Sequence, residues 1–182
     1  MQLACRAGML DDCDPLVTLA RSATAALSLQ PHVADGLATR ALAMDPTFSW
    51  AWERRGGAEL SKGGDPDQAI AYFMRALKLR GPSFARGNCF GGIACAHAAA
   101  GRLEDAVLWQ RKALGENPAA TWMHIMDSCY ALKTGNRSRV VEAVECMRRA
   151  QPEFSISLIL ATYPPADPHW VEAVARAGMP LT

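Results

Sequence analysis

The chain is short of most features that announce a function. Its 19 Lys and Arg residues face 18 Asp and Glu, a formal net charge of +1 over 182 residues. That balance gives no support to a nucleic-acid surface or a polybasic membrane patch. No run approaches 18 uninterrupted apolar residues, so no membrane span is expected. The N-terminus has Arg6, then Asp11, Asp12 and Asp14, with no long apolar stretch. A secretory signal is therefore not indicated, and the cytoplasm is the default location. No Gly-x-x-x-x-Gly-Lys-Ser/Thr phosphate loop occurs, no low-complexity segment and no convincing strand alternation.

Nor do the chemistry-bearing residues converge. Cys89, Cys95 and His97 form the only Cys/His cluster. Steps of six and two residues turn a helix by roughly 600° and 200°, so their side chains diverge where a tetrahedral metal site needs convergence. His124 and Ser128 share a helix face, but no third residue is placed to orient the histidine. Glu104-Asp105 sits at a helix start, where acids favour the macrodipole. The six cysteines are scattered through helical sequence and read as reduced, packed thiols. The expectation is a protein without enzymatic activity, metal or cofactor.

What the chain does have is half its residues hydrophobic, many of them Ala, and a periodic pattern. Asp65–Arg80 is the clearest stretch. Ala69, Ile70, Phe73, Ala76 and Leu77 fall on one face of a helix. Asp65 is suited to cap it, Pro66 fits its first position, and Gln68 completes a capping-box spacing.

The pattern then recurs. Gly63, Gly101 and Gly135 are separated by 38 and 34 residues, as are Trp52, Phe90 and His124, and Gly56, Ala94 and Ser128. Ala69, Ala106 and Val140 follow, then Ala76, Ala113 and Met147, with Pro46, Pro82, Pro118 and Pro152 closing the units. A helix with one apolar stripe cannot bury it alone, so repeated copies predict stacking.

This pattern resembles the tetratricopeptide repeat. Trp52, Gly56, Ala69, Phe73, Ala76 and Pro82 match its order with small offsets, and the likeness covers roughly residues 31–152. Departures are one extra residue before Ala69, two between Pro82 and Phe90, and His124 where a large apolar residue is usual. The implied fold is all-α: a right-handed α-solenoid of antiparallel helix pairs, with about 4 repeats (15–45, 46–81, 82–117, 118–151) and a C-terminal cap over 152–182. Residues 1–14 read as a weakly structured N-terminal segment ahead of one repeat domain, 15–182. A helix near 153–161 is broken by Tyr163-Pro164-Pro165, and Asp167-Pro168 opens a terminal helix from His169 to Ala177.

The resemblance also implies a site. In such arrays the first helix of each pair lines a concave groove, with ligand-facing residues at set offsets. Those offsets give Trp50, Glu53, Gly57 and Leu60, then Asn88, Gly91, Cys95 and Ala98, then Trp122, Ile125, Cys129 and Leu132. Apart from Asn88, the Lys/Arg/Asn clamp by which chaperone-binding members hold a terminal carboxylate is missing. Trp50 and Trp122 are natural anchors if exposed; the alternative is that they pack on neighbouring helices or the tail.

Three stretches carry a second resemblance: Ala41 to Trp52, the turn Arg80 to Phe84 leading to Gly91–His97, and Pro164 to Pro180. They look like the C-terminal repeat region of bacterial class III adenylate/guanylate cyclases and related winged-helix regulators. The functional expectation is a scaffold that binds a protein or peptide partner, with no nucleic acid and no membrane, and the regulatory region of a cyclase-type signalling protein as its finer form. The competing expectation is a sensor with a small apolar metabolite in the groove. A stand-alone hydrolase comes third, for want of convergent polar residues.

Overall fold

A computed structural model describes residues 14–80, 86–162 and 169–182. Every regular element among them is a helix. The order is α1 (Pro15–Leu27), α2 (Pro31–Met44), α3 (Ser49–Ser61), α4 (Pro66–Arg80), α5 (Arg86–Ala99), α6 (Leu103–Glu116), α7 (Thr121–Lys133), α8 (Arg137–Ala150), α9 (Ile156–Thr162) and α10 (Trp170–Arg176). Residues 1–13, the turn around Pro82, the Tyr163-Pro164-Pro165 break and the Asp167-Pro168 opening lie outside the described residues.

Local signals set the helix ends. Asp14 Oδ1 accepts from the amide of Leu16 at 2.7 Å, with Pro15 at the first helical position. Asp65 Oδ1 takes the Asp67 amide at 2.9 Å. The capping box expected of Gln68 is replaced: the Asp65 amide donates instead to the Glu59 carboxylate, 3.1 Å away on α3.

The bends inside the pairs are copies of one another. Gly63, Gly101 and Gly135 have φ of 70°, 76° and 73°. After each, an amide reaches back five residues, Gly64 to Glu59, Arg102 to His97 and Asn136 to Ala131, at 2.8–2.9 Å. These are Schellman closures, and they need a left-handed residue. The first pair closes in the same way, Gln30 to Ala25, but its left-handed residue is Leu29, at φ 55°.

Packing follows from small residues. Ala41, Ala69, Ala76, Ala94, Ala106 and Ala113 are fully buried, which lets the helix backbones approach. The Phe73 ring of α4 is wedged between Gly56 of α3 and Gly92 of α5. A Cβ at Gly56 would stand 2.8 Å from Phe73 Cζ, and one at Gly92 would strike the same ring.

The last pair is closed by the C-terminal segment. Trp170 is 0% exposed and packs with Val174 and Met179 against Ile125, Val140, Val144 and Met147. Its indole N–H donates to Ser128 Oγ at 2.8 Å, and Ser128 in turn donates to the Ile125 carbonyl at 2.7 Å. The chain end returns to α9, where the Ile156 and Ser157 amides donate to the carbonyls of Pro180 and Leu181. Solenoid ends need such a cover.

Two stability measurements test this packing. Leu29 is 89% exposed, so its side chain contributes little, while its left-handed backbone costs about 1–2 kcal/mol. Leu29→Gly is expected to raise the unfolding free energy by up to about 1–2 kcal/mol, read as a higher urea midpoint. Gly92→Ala should destabilise by about 1–3 kcal/mol, because the ring has Gly56 behind it and nowhere to retreat. That cost should shrink in a Phe73→Leu background when both are followed by urea unfolding.

Candidate binding groove

Helices α1, α3, α5 and α7 form the inner layer. α1 touches α3, α3 touches α5 and α5 touches α7, with no comparable contact among α2, α4, α6 and α8. The residues expected to face a ligand all lie on α3, α5 and α7.

On α3, Trp50 is 53% exposed, with the Arg80 guanidinium 5.8 Å from its ring centroid. Glu53 is largely buried and engaged, since its Oε2 lies 2.8 Å from Arg80 Nη2. The Cys89 thiol of α5 sits 3.6 Å from both partners. One polar cluster thereby ties α3, α4 and α5 together, and it neutralises the only acid in the expected site. Nothing lies within 4 Å of where a Cβ on Gly57 would stand, so the backbone there is bare. Leu60 packs instead into the Phe73 cluster.

On α5, Asn88 is exposed. Gly91 lies under the Trp122 ring, which fills the place of a side chain. Cys95 is half-buried and accepts from the Tyr130 hydroxyl at 3.4 Å, and Ala98 packs beside Tyr130. On α7, Trp122 is half-buried, leaning on Phe90, Met123 and Leu114. Ile125 is 1% exposed, and Cys129 and Leu132 pack against the same C-terminal cluster. A ligand cannot touch Ile125 while α10 is seated. The expected line of twelve positions is thus open around Trp50, Gly57 and Asn88, half-open at Trp122, and covered beyond it.

The two tryptophans differ: Trp50 stands in solvent, whereas Trp122 packs on a neighbouring helix. Arg80 and Tyr130 were not foreseen, because neither falls at a groove offset. Each reaches the layer from elsewhere, Arg80 from the end of α4 and Tyr130 from the far side of α7.

Burial disfavours the thiolate at both cysteines of α5. Burial, with Glu53 adding to it, pushes Cys89 up to about 12, and burial likewise raises Cys95. Among the described residues, no group of three or more His, Cys, Asp or Glu is arranged to hold a metal ion, and no helix is long and apolar enough to cross a membrane.

Comparison with known proteins agrees with this architecture. The tetratricopeptide repeat family model matches residues 54–81, which run from the middle of α3 through α4. None of the curated proteins compared matches the chain significantly. Solved structures similar to it include the hetero-tetramer Cut9-Hcn1 of the APC/C, at 12% identity and a TM-score of 0.71. That match covers 91% of this chain and 30% of the other, so the present chain spans under a third of that protein. PilF of Pseudomonas aeruginosa matches at 15% identity and a TM-score of 0.65, covering 92% of this chain and 75% of that one. YrrB, described as a TPR protein with an unusual peptide-binding site, matches at 14% identity and a TM-score of 0.57, covering 96% and 90%.

At such identities the likeness concerns the fold, which is an α-solenoid of antiparallel helix pairs of the tetratricopeptide kind. One reactivity test follows from the burial. With iodoacetamide at pH 8, Cys89 should stay unmodified in the folded protein and react on unfolding, as peptide mass spectrometry would show. Rapid native labelling at Cys89 would contradict the packing described.

Proposed function

We propose that the chain is a non-enzymatic scaffold that binds a segment of a partner protein along its inner helical layer, at the part left open by its own C-terminus. The observation that carries this reading is Trp50. A large aromatic ring stands half in solvent on an inner helix, with bare backbone at Gly57 on the same helix and a hydrogen-bonding Asn88 on the next. Exposed aromatic anchors beside accessible backbone suit an extended or helical peptide. The repeat-family match and a structural neighbour described as peptide-binding lend support. Because Glu53 is neutralised by Arg80, apolar contact rather than an ionic clamp would dominate recognition.

The finer reading, a regulatory region of a cyclase-type signalling protein in the cytoplasm, rests on the three sequence stretches named above. It would be supported by an adjacent cyclase or winged-helix reading frame in the same orientation. The groove reading can be tested with peptides selected from a random library. Trp50→Ala should weaken their binding tenfold or more, about 1.4 kcal/mol or above, while Trp122→Ala should have a smaller effect, because that ring already packs on Gly91. Selected peptides that bind both variants as tightly as the parent would show that the groove assignment is wrong.

A further inference from the structure

The position held by Trp52 in the second helix pair and Phe90 in the third is His124 in the fourth. Trp52 donates its ring N–H to the carbonyl of Pro46 at 3.0 Å. His124 Nε2 stands 2.8 Å from the carbonyl of Pro118, again six residues back. A carbonyl only accepts, so Nε2 carries a proton, and in the neutral form this tautomer leaves Nδ1 as an acceptor. The imidazole therefore reproduces the hydrogen bond of the indole without its bulk.

A cavity of about 290 Å³ lies at this place, bounded by Leu114 and Pro118 at the end of α6, His124 and Asp127 of α7, and Arg139 and Cys146 of α8. Its chemistry is uneven. Asp127 is 2% exposed and its Oδ2 accepts from Arg139 Nε at 2.7 Å, while Oδ1 has no partner among the described residues. The other arm of Arg139 reaches Glu142 at 2.8 Å. Glu142 is an exposed carboxylate screened by water, so the buried pair is Asp127 with Arg139, and two acceptors, Asp127 Oδ1 and Nδ1 of a neutral His124, have no hydrogen-bond partner among the described residues. Burial pushes the Asp127 carboxyl above its usual range, with Arg139 and, when protonated, His124 pulling the other way, so a cation brought to Oδ1 beside a neutral His124 would relieve a real cost.

We propose that this cavity binds a small primary ammonium compound, its –NH₃⁺ held by Asp127 Oδ1 and His124 Nδ1 and its short apolar tail lying against Leu114 and Pro118. An ammonium offers three donors to two waiting acceptors. The volume lies at the small end of the range for ligand pockets and admits a short-chain amine. On the axis of α7, His124 and Asp127 lie about 150° from Trp122, Ile125 and Cys129, so this site is separate from the groove and does not depend on it.

The experiment is an NMR titration of the full chain with n-pentylammonium chloride, with 1-pentanol as the neutral counterpart. Shifts are expected at the His124 ring and at the Gly115 and Ala143 amides, with a Kd of about 1 mM or tighter, and at least tenfold weaker binding for the alcohol. Asp127→Asn should weaken the ammonium at least tenfold. Since that change also strips Arg139 of a partner, His124→Trp is the second variant: it restores the ring of the second pair, should keep the fold by circular dichroism, and should abolish binding. Absence of shifts at these residues up to about 20 mM, equal binding of the alcohol, or full binding by folded His124→Trp would each overturn the proposal.

Discussion

One ring fixes the spacing of the solenoid. Phe73 enters from an outer helix and fills notches on two successive inner helices, at Gly56 and Gly92. Glycine here serves close approach, since neither residue lies in a left-handed conformation. The effect is steric: with no Cβ on either side, an aromatic face replaces two side chains, and α3 and α5 come together across it. Trp122 repeats the device on Gly91, the residue next to Gly92. Glycines along α5 thus receive one aromatic from the preceding pair and one from the following pair. The inner layer is bare in places because its surface has been given to neighbours, and the open backbone at Gly57 belongs to the same economy of side chains.

That logic explains what could be read from the chain alone. Bends at Gly63, Gly101 and Gly135 were legible because a left-handed backbone restricts residue choice to glycine and a few others, and their spacing repeats. The bend at Leu29 was not, since nothing in a leucine signals a positive φ; it is visible only as the residue 34 positions before Gly63. The Gln68 cap failed for a related reason. Capping boxes are local, and here a longer-range acceptor, Glu59, was brought to the same amide by the bend between α3 and α4.

The site was half legible. Offsets along one helix place a side chain on a face, and Trp50 and Asn88 are exposed as such offsets imply. Offsets say nothing of what another element lays over that face. Ile125, Cys129 and Leu132 hold groove positions, yet Trp170, 45 residues beyond Ile125, packs over that part of α7. The covering element is the short helix of the cap expected over 152–182, and groove offsets along α7 did not indicate which of its positions that cap would take. Glu53 has a similar history: its position was readable, while its neutralisation by Arg80 needed the end of α4 in space.

Departures from the repeat are therefore the informative places, and they are of two physical kinds. Where the substitute stays small, as with Ala94 and Ser128 in the place of Gly56, the pair closes and the site stays buried. Where it preserves the hydrogen bond but not the size, as with His124 for Trp52, the backbone contact survives and the volume does not collapse onto it. A buried carboxylate beside that volume sharpens the contrast. An aspartate at 2% exposure is a poor way to fill a helix interface, because its charge needs more than a single guanidinium to offset desolvation. Packing alone would favour an apolar residue at 127, as it does at Ile93, the residue 34 positions earlier, which is fully buried. The fourth pair gives up that packing, and it does so on the side of α7 turned away from the groove.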